Sequence, residues 1–232
     1  MPTRKTPRAS STVRENEALK LRSLSLLSEA VVASEGGDEI GVVHEFLFDA
    51  EFWVVRYIGV RVGDWLTGDK ILVPPAAVKE INWDLPKVFL SLRKSQLKKS
   101  HVPDPNLFST REMIEYRIDA LNGEVGHVGD FIADEDDWTI YYLVVVLDEI
   151  IPEEESSRDV LISTEWVRKS AKEEERVYID LDREMVLNSP EYDPSVPLDR
   201  EYELALYDHY GRPRYWDQGG DTEEEEDTRF SS

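Results

Sequence analysis

The side chains that most often do chemistry are few here and widely spaced. There are four histidines, His44, His101, His127 and His209, and no cysteine. Without thiols there is no disulfide, no thiolate nucleophile and no cysteine-ligated metal. No His-Glu-x-x-His pattern occurs, and no histidine stands near an acid at metal-ligand spacing. The carboxylates Asp130, Asp134, Glu135, Asp136 and Asp137 invite a calcium reading, because hard cations want several oxygens. They lack the spacing of a calcium loop, and Asp134 reads instead as a turn residue whose carboxylate takes backbone N–H groups. No serine sits in Gly-x-Ser-x-Gly, and Gly63, Gly68 and Gly123 belong to no phosphate-binding pattern. With 49 acidic residues in the chain, nearness in sequence picks out no acid–base pair. The residues therefore predict a protein that is not an enzyme, with no catalytic residue, no cofactor and no metal.

The elements that carry these residues occur twice. Residues 40–49 and 53–58 align without a gap on 125–134 and 138–143. Gly41 falls on Gly126, Phe46 on Phe131, Asp49 on Asp134, Trp53 on Trp138 and Tyr57 on Tyr142. A match of this length that keeps Gly, Asp and Trp points to an internal duplication of a small β domain. His44 falls opposite Gly129 and His127 opposite Val42, so the duplication keeps neither histidine. Later matches run at a larger offset, Ala77 and Val78 on Trp166 and Val167, then Val88, Leu90 and Leu92 on Val177, Ile179 and Leu181. A loop insertion that includes Glu153, Glu154 and Glu155 accounts for the difference.

Within each copy the alternation is that of strands. Ile40, Val42, Phe46 and Phe48 share one parity, and a strand from Trp53 to about Val62 is apolar on both faces. Pro74-Pro75 stops a short strand at Ile71–Val73, and a helical turn precedes the strand through Val88. In the second copy strands are expected over about 125–133, 138–147 and 159–162. Asn122-Gly123 signals a type I′ hairpin and Asp182 caps a short helix over Arg183–Leu187. The predicted organisation is a disordered tail over 1–17, domains over 18–100 and 109–195 joined by a linker over 101–108, an aromatic helical extension over 196–217 and an acidic disordered tail over 218–232. In the extension, Asp199 caps a helix that Gly211 ends, with Tyr202, Leu206 and Tyr210 on one stripe.

Composition narrows the partners. The formal net charge of −22 opposes direct contact with nucleic acid or anionic lipid and suits a basic protein partner or a halophilic source. No run of apolar residues is long enough to span a membrane, and the basic start of the chain leads into no apolar leader segment, so cytoplasmic residence is expected.

The pattern Gly41, Asp49, Trp53, Tyr57 and its repeat Gly126, Asp134, Trp138, Tyr142 resembles the PRC-barrel domain, found in the photosynthetic reaction centre H subunit and at the C-terminus of the ribosome maturation factor RimM. The resemblance covers about residues 22–194. It implies an all-β fold, two tandem small β barrels with short helices and a C-terminal helical and aromatic extension. It also implies an interaction or assembly role without a shared catalytic set. The membrane helix of the H subunit and the preceding domain of RimM have no counterpart in the sequence, so membrane anchoring and ribosome binding do not follow.

The expected function is that of a soluble, non-enzymatic structural or protein-binding module that self-associates as a homo-oligomer. Large aromatics anchor interfaces, and the candidates are Trp83, Trp166, Tyr202, Leu206, Tyr210, Tyr215 and Trp216. Two alternatives stand beside it, an RNA-processing or ribosome-assembly factor acting through a basic protein, and a small-ligand carrier or enzyme with a deep polar pocket.

Overall fold

A computed structural model describes residues 20–63, 69–97, 104–147 and 158–217. The predicted tails at 1–17 and 218–232, residues 101–103 of the linker with His101, Gly68 and the Glu153–Glu155 loop lie outside the described residues. The first half runs β1 (Leu21–Ser23), a 3-10 turn at Leu24–Leu27, β2 (Val31–Ala33), β3 (Glu39–Asp49), β4 (Val54–Val62), β5 (Asp69–Val73), β6 (Val78–Asn82) and β7 (Lys87–Leu90). The second runs β8 (Phe108–Ser109), α1 (Thr110–Met113), β9 (Arg117–Ala120), β10 (Gly123–Asp134), β11 (Ile140–Leu147), β12 (Asp159–Ser163), β13 (Val167–Ala171) and β14 (Arg176–Ile179). Then come α2 (Arg183–Leu187) and α3 (Arg200–Tyr210).

The expectation of an all-β pair of closed barrels is not met. Of the described residues, 46% lie in strands and 19% in helices, a mixed α/β content. The two sheets are open paths, ordered β5-β4-β3-β2-β7-β6 and β12-β11-β10-β9-β14-β13. The reason lies between the end strands of each path. Pro74 and Pro75 cannot donate to a ladder, and the 3-10 turn at Pro75–Ala77 leads straight into β6, so β5 and β6 are consecutive yet share no ladder. Thr164–Trp166 makes the same turn between β12 and β13. Open edges invite pairing with other chains, and charge protects these. Lys79 and Glu80 sit on β6, Arg168 and Lys169 on β13, all exposed.

The halves repeat down to their irregularities. β3 pairs β4 with bulges at Val43/Glu45 and Leu47/Phe48, and β10 pairs β11 with bulges at the aligned Val128/Asp130 and Ile132/Ala133. Gly41 and Gly126 each face a carbonyl of the neighbouring strand, Arg61 and Val146, where a Cβ would overlap the oxygen. Asp49 Oδ1 accepts from the N–H of Glu51 at 2.8 Å, and Asp134 Oδ1 from that of Asp136 at 2.8 Å, as their turn reading requires. Those turns hold Trp53 and Trp138 at φ 56° and 61°, a conformation costly for a bulky side chain and kept only by what surrounds it.

What surrounds them is the other half. The N–H of Val55 donates to the Trp138 carbonyl at 3.0 Å and that of Ile140 to the Trp53 carbonyl at 2.6 Å. The first strand of each half leaves its own sheet: β1 pairs with β10 through Ser23 opposite Ile132, and β8 pairs with β3 through Ser109 opposite Leu47. Contacts made twice with roles exchanged are those of a two-fold interface, here within one chain. Phe48 stacks on Trp53 at 5.3 Å and meets Phe131 of the other half at 5.6 Å, so a single hydrophobic core runs through both sheets.

The turn after β9 differs from expectation. Ala120 pairs with Gly123, so the turn residues are Leu121 and Asn122, and neither has the positive φ that a type I′ turn needs. Asn122 is occupied elsewhere, its Oδ1 accepting from the Arg183 N–H at 2.7 Å. It thereby caps α2 in place of Asp182, whose side chain makes no cap bond.

Candidate interaction surface

The C-terminal extension packs on the second sheet. Asp199 accepts from the Tyr202 N–H at 2.8 Å to start α3, and Gly211 ends it at φ 59°. The buried face is Glu203, Leu206, Tyr207 and Tyr210, turned from the expected stripe so that Tyr202 is only partly buried. Trp166 receives Tyr210 at 4.7 Å and Tyr207 at 5.3 Å, and Tyr215 lies 5.0 Å from Tyr141. Of the candidate interaction residues, Trp166, Leu206, Tyr210 and Tyr215 are thus buried inside the chain, and Tyr202, Trp216 and Trp83 are partly exposed.

At the centre of this packing is an acid that periodicity could not flag. Glu203 is fully buried and accepts from the Tyr142 hydroxyl at 2.6 Å, the Tyr215 hydroxyl at 3.1 Å and the Arg200 guanidinium at 2.6 Å. Burial, with Glu203 near, pushes the Tyr142 and Tyr215 hydroxyls up, so both stay protonated and donate. The first sheet shows why α3 settles on only one half. Tyr141 and Trp166 have Arg56 and Ala77 as their counterparts, and Tyr57, the counterpart of Tyr142, is 36% exposed.

Between the halves lie two clefts. One, of about 600 Å³, is lined by Trp83, Ile81, Val78 and Pro75 from the first half and by Glu135, Asp136 and Asp137 from the second. Glu80 adds to its acidic side, and the Arg22 guanidinium lies 5.8 Å over the Trp83 ring. The other, of about 380 Å³, is lined by Glu45 of the first half and Asp130 of the second. Glu45 and Asp130, at aligned bulges, each take a hydroxyl from the other half's copy of one serine. Ser109 Oγ donates to Glu45 at 2.5 Å and Ser23 Oγ donates to Asp130. Glu45 is the longer, and Gly59 opposite it makes room, since a Cβ there would lie 2.8 Å from Glu45 Cγ. Opposite the shorter Asp130 stands Val144.

The two carboxyls titrate in opposite directions. Burial alone would raise Glu45, but hydrogen bonds from Lys70, at 2.6 Å, and Ser109, with the Lys70 charge, hold it below the usual carboxylate range. Burial wins at Asp130 and raises it, against hydrogen bonds from Ser23, Phe131 and Ser25. A lowered folded pKa gives stability that is present above the unfolded value and lost as pH falls through the folded one. Glu45→Gln is therefore expected to cost about 1–2 kcal/mol at neutral pH, with the difference from the parent shrinking on acidification in urea melts. A difference constant with pH would contradict the Lys70 pairing.

Among the described residues no group of three His, Cys, Asp or Glu side chains could hold a metal ion, and no helix is long and apolar enough to cross a membrane. Residues 23–86 match the PRC-barrel domain family. Domains of that family are typically non-catalytic protein-interaction modules, and one is present here. Comparison with curated proteins finds no match.

Proposed function

We propose that the protein is a non-enzymatic adaptor, that residues 109–195 form a second PRC-type domain, and that a basic segment of a partner protein docks in the Trp83 cleft. The observation that carries this reading is the partly exposed indole of Trp83 in a cleft bordered by Glu80, Glu135, Asp136 and Asp137. Arg22 and Lys79 also line the cleft, with Arg22 paired to Glu135 at 3.4 Å and Lys20 to Asp136 at 3.0 Å, so a basic segment would compete for acids that already have partners. A large aromatic anchor is a common basis for recognition, and the net charge of −22 draws basic partners from a distance. Self-association is the second reading, favoured by Tyr57, exposed on the face whose counterpart in the other half carries α3.

Affinity capture from extract with the parent and with Trp83→Ala tests the first. The parent retains a basic protein that elutes with salt, and the variant loses about tenfold or more in affinity for it. Equal retention by both contradicts the cleft assignment. Light scattering on the same preparations separates the second reading, since a dimer that persists in Trp83→Ala belongs to self-association.

A further inference from the structure

The cleft lined by Glu45 and Asp130 holds charges that do not balance. Its volume of about 380 Å³ is that of a small-ligand site, and Leu24, Phe46, Phe131 and Ile114 give it apolar walls. Lys70 neutralises Glu45. Asp130 has only neutral donors, the Ser23 hydroxyl and the N–H groups of Ser25 and Phe131, and no cation among the described residues is paired with it. Arg111, exposed and also lining the cleft, is paired with no acid among the described residues. His44 adds a buried Nδ1 without a hydrogen-bond partner. One cleft therefore presents an anion that wants a cation, a cation that wants an anion, and an apolar wall. Asp130 is partly buried and Arg111 exposed, so a ligand that supplies both counter-charges gains most at Asp130 and adds a charge-assisted contact at Arg111.

We infer that this cleft binds a small zwitterion, a free amino acid with an apolar side chain, its ammonium at Asp130, its carboxylate at Arg111 and its side chain on the aromatic wall. His44 Nδ1 offers the ligand a further hydrogen bond. A simple amine or a simple carboxylate of the same shape satisfies half of the site. The inference is independent of the Trp83 cleft, which shares no lining residue with this one.

The test is calorimetric titration of the full chain with L-leucine, isopentylamine and 4-methylpentanoate. L-leucine is expected to bind, and each one-charge analogue to bind about tenfold more weakly. Arg111→Gln, which removes the charge without reversing it, is expected to weaken L-leucine about tenfold and not to weaken the amine, and its thermal melt without ligand is expected to match the parent's because the side chain is exposed. Asp130→Asn, which keeps the acceptor oxygen, is expected to weaken the amine. Failure of L-leucine to bind the parent overturns the inference. So does equal binding by parent and Arg111→Gln, or an amine that binds as tightly as L-leucine.

Discussion

Replacing Glu203 with alanine is expected to destabilise the protein by about 3–5 kcal/mol, the cost of removing one member of a buried charged network. Three donors converge on this carboxylate: the hydroxyls of Tyr142 and Tyr215 and the guanidinium of Arg200. Tyr142 is completely buried and Tyr215 nearly so, and no water can replace the lost acceptor without opening the sheet–helix contact. Arg200 keeps its stacking over Trp216, 4.1 Å from the ring centre, but loses its ion pair. Glu203→Gln keeps an acceptor and removes the charge, so its cost falls between parent and alanine. Urea denaturation measures both, with the midpoint moving and the slope unchanged. A loss below about 1 kcal/mol for alanine would mean that α3 does not sit on the second sheet as described.

The second large effect belongs to a pair of glycines. Gly41→Ala and Gly126→Ala are each expected to cost about 3 kcal/mol, at the upper end of what overpacking usually does. In both, the added methyl would meet the carbonyl oxygen of the partner strand, Arg61 or Val146, and backbone cannot swing aside as a side chain can. The equality of the two is the point. They occupy the same place in two copies of one irregular ladder, so a large cost at one and none at the other would break the equivalence of the halves.

Much of this was legible. Apolar parity gave the long strands, the shared Gly, Asp and Trp gave the repeat, and Asp199 and Gly211 gave both ends of α3. The exchange of β1 and β8 was not, because strands of three and two residues have no period to read. Only Ser23 and Ser109, facing the carboxylates of the opposite copy, hint at it, and their value is apparent only once the register is known. Closure into barrels was inferred from resemblance, and it failed where prolines and 3-10 turns keep the end strands from pairing. Glu203 was hidden for another reason: a buried acid on an aromatic face looks like a solvated position until Tyr142 arrives from β11 and Tyr215 folds back from the turn after α3. The positive φ of Trp53 and Trp138 was equally hidden, since tryptophan is an unexpected residue there.

The central claim is that reciprocal strand exchange makes the two sheets one cooperative unit. Hydrogen exchange on Gly126→Ala tests it most directly, because that substitution strikes only the second sheet. If the claim holds, amides of β4 in the first sheet lose protection by the same factor as amides of β11 in the second, since both open only when the whole unit unfolds. Faster exchange confined to β11, with β4 as protected as in the parent, would show that the halves unfold separately and would contradict the account.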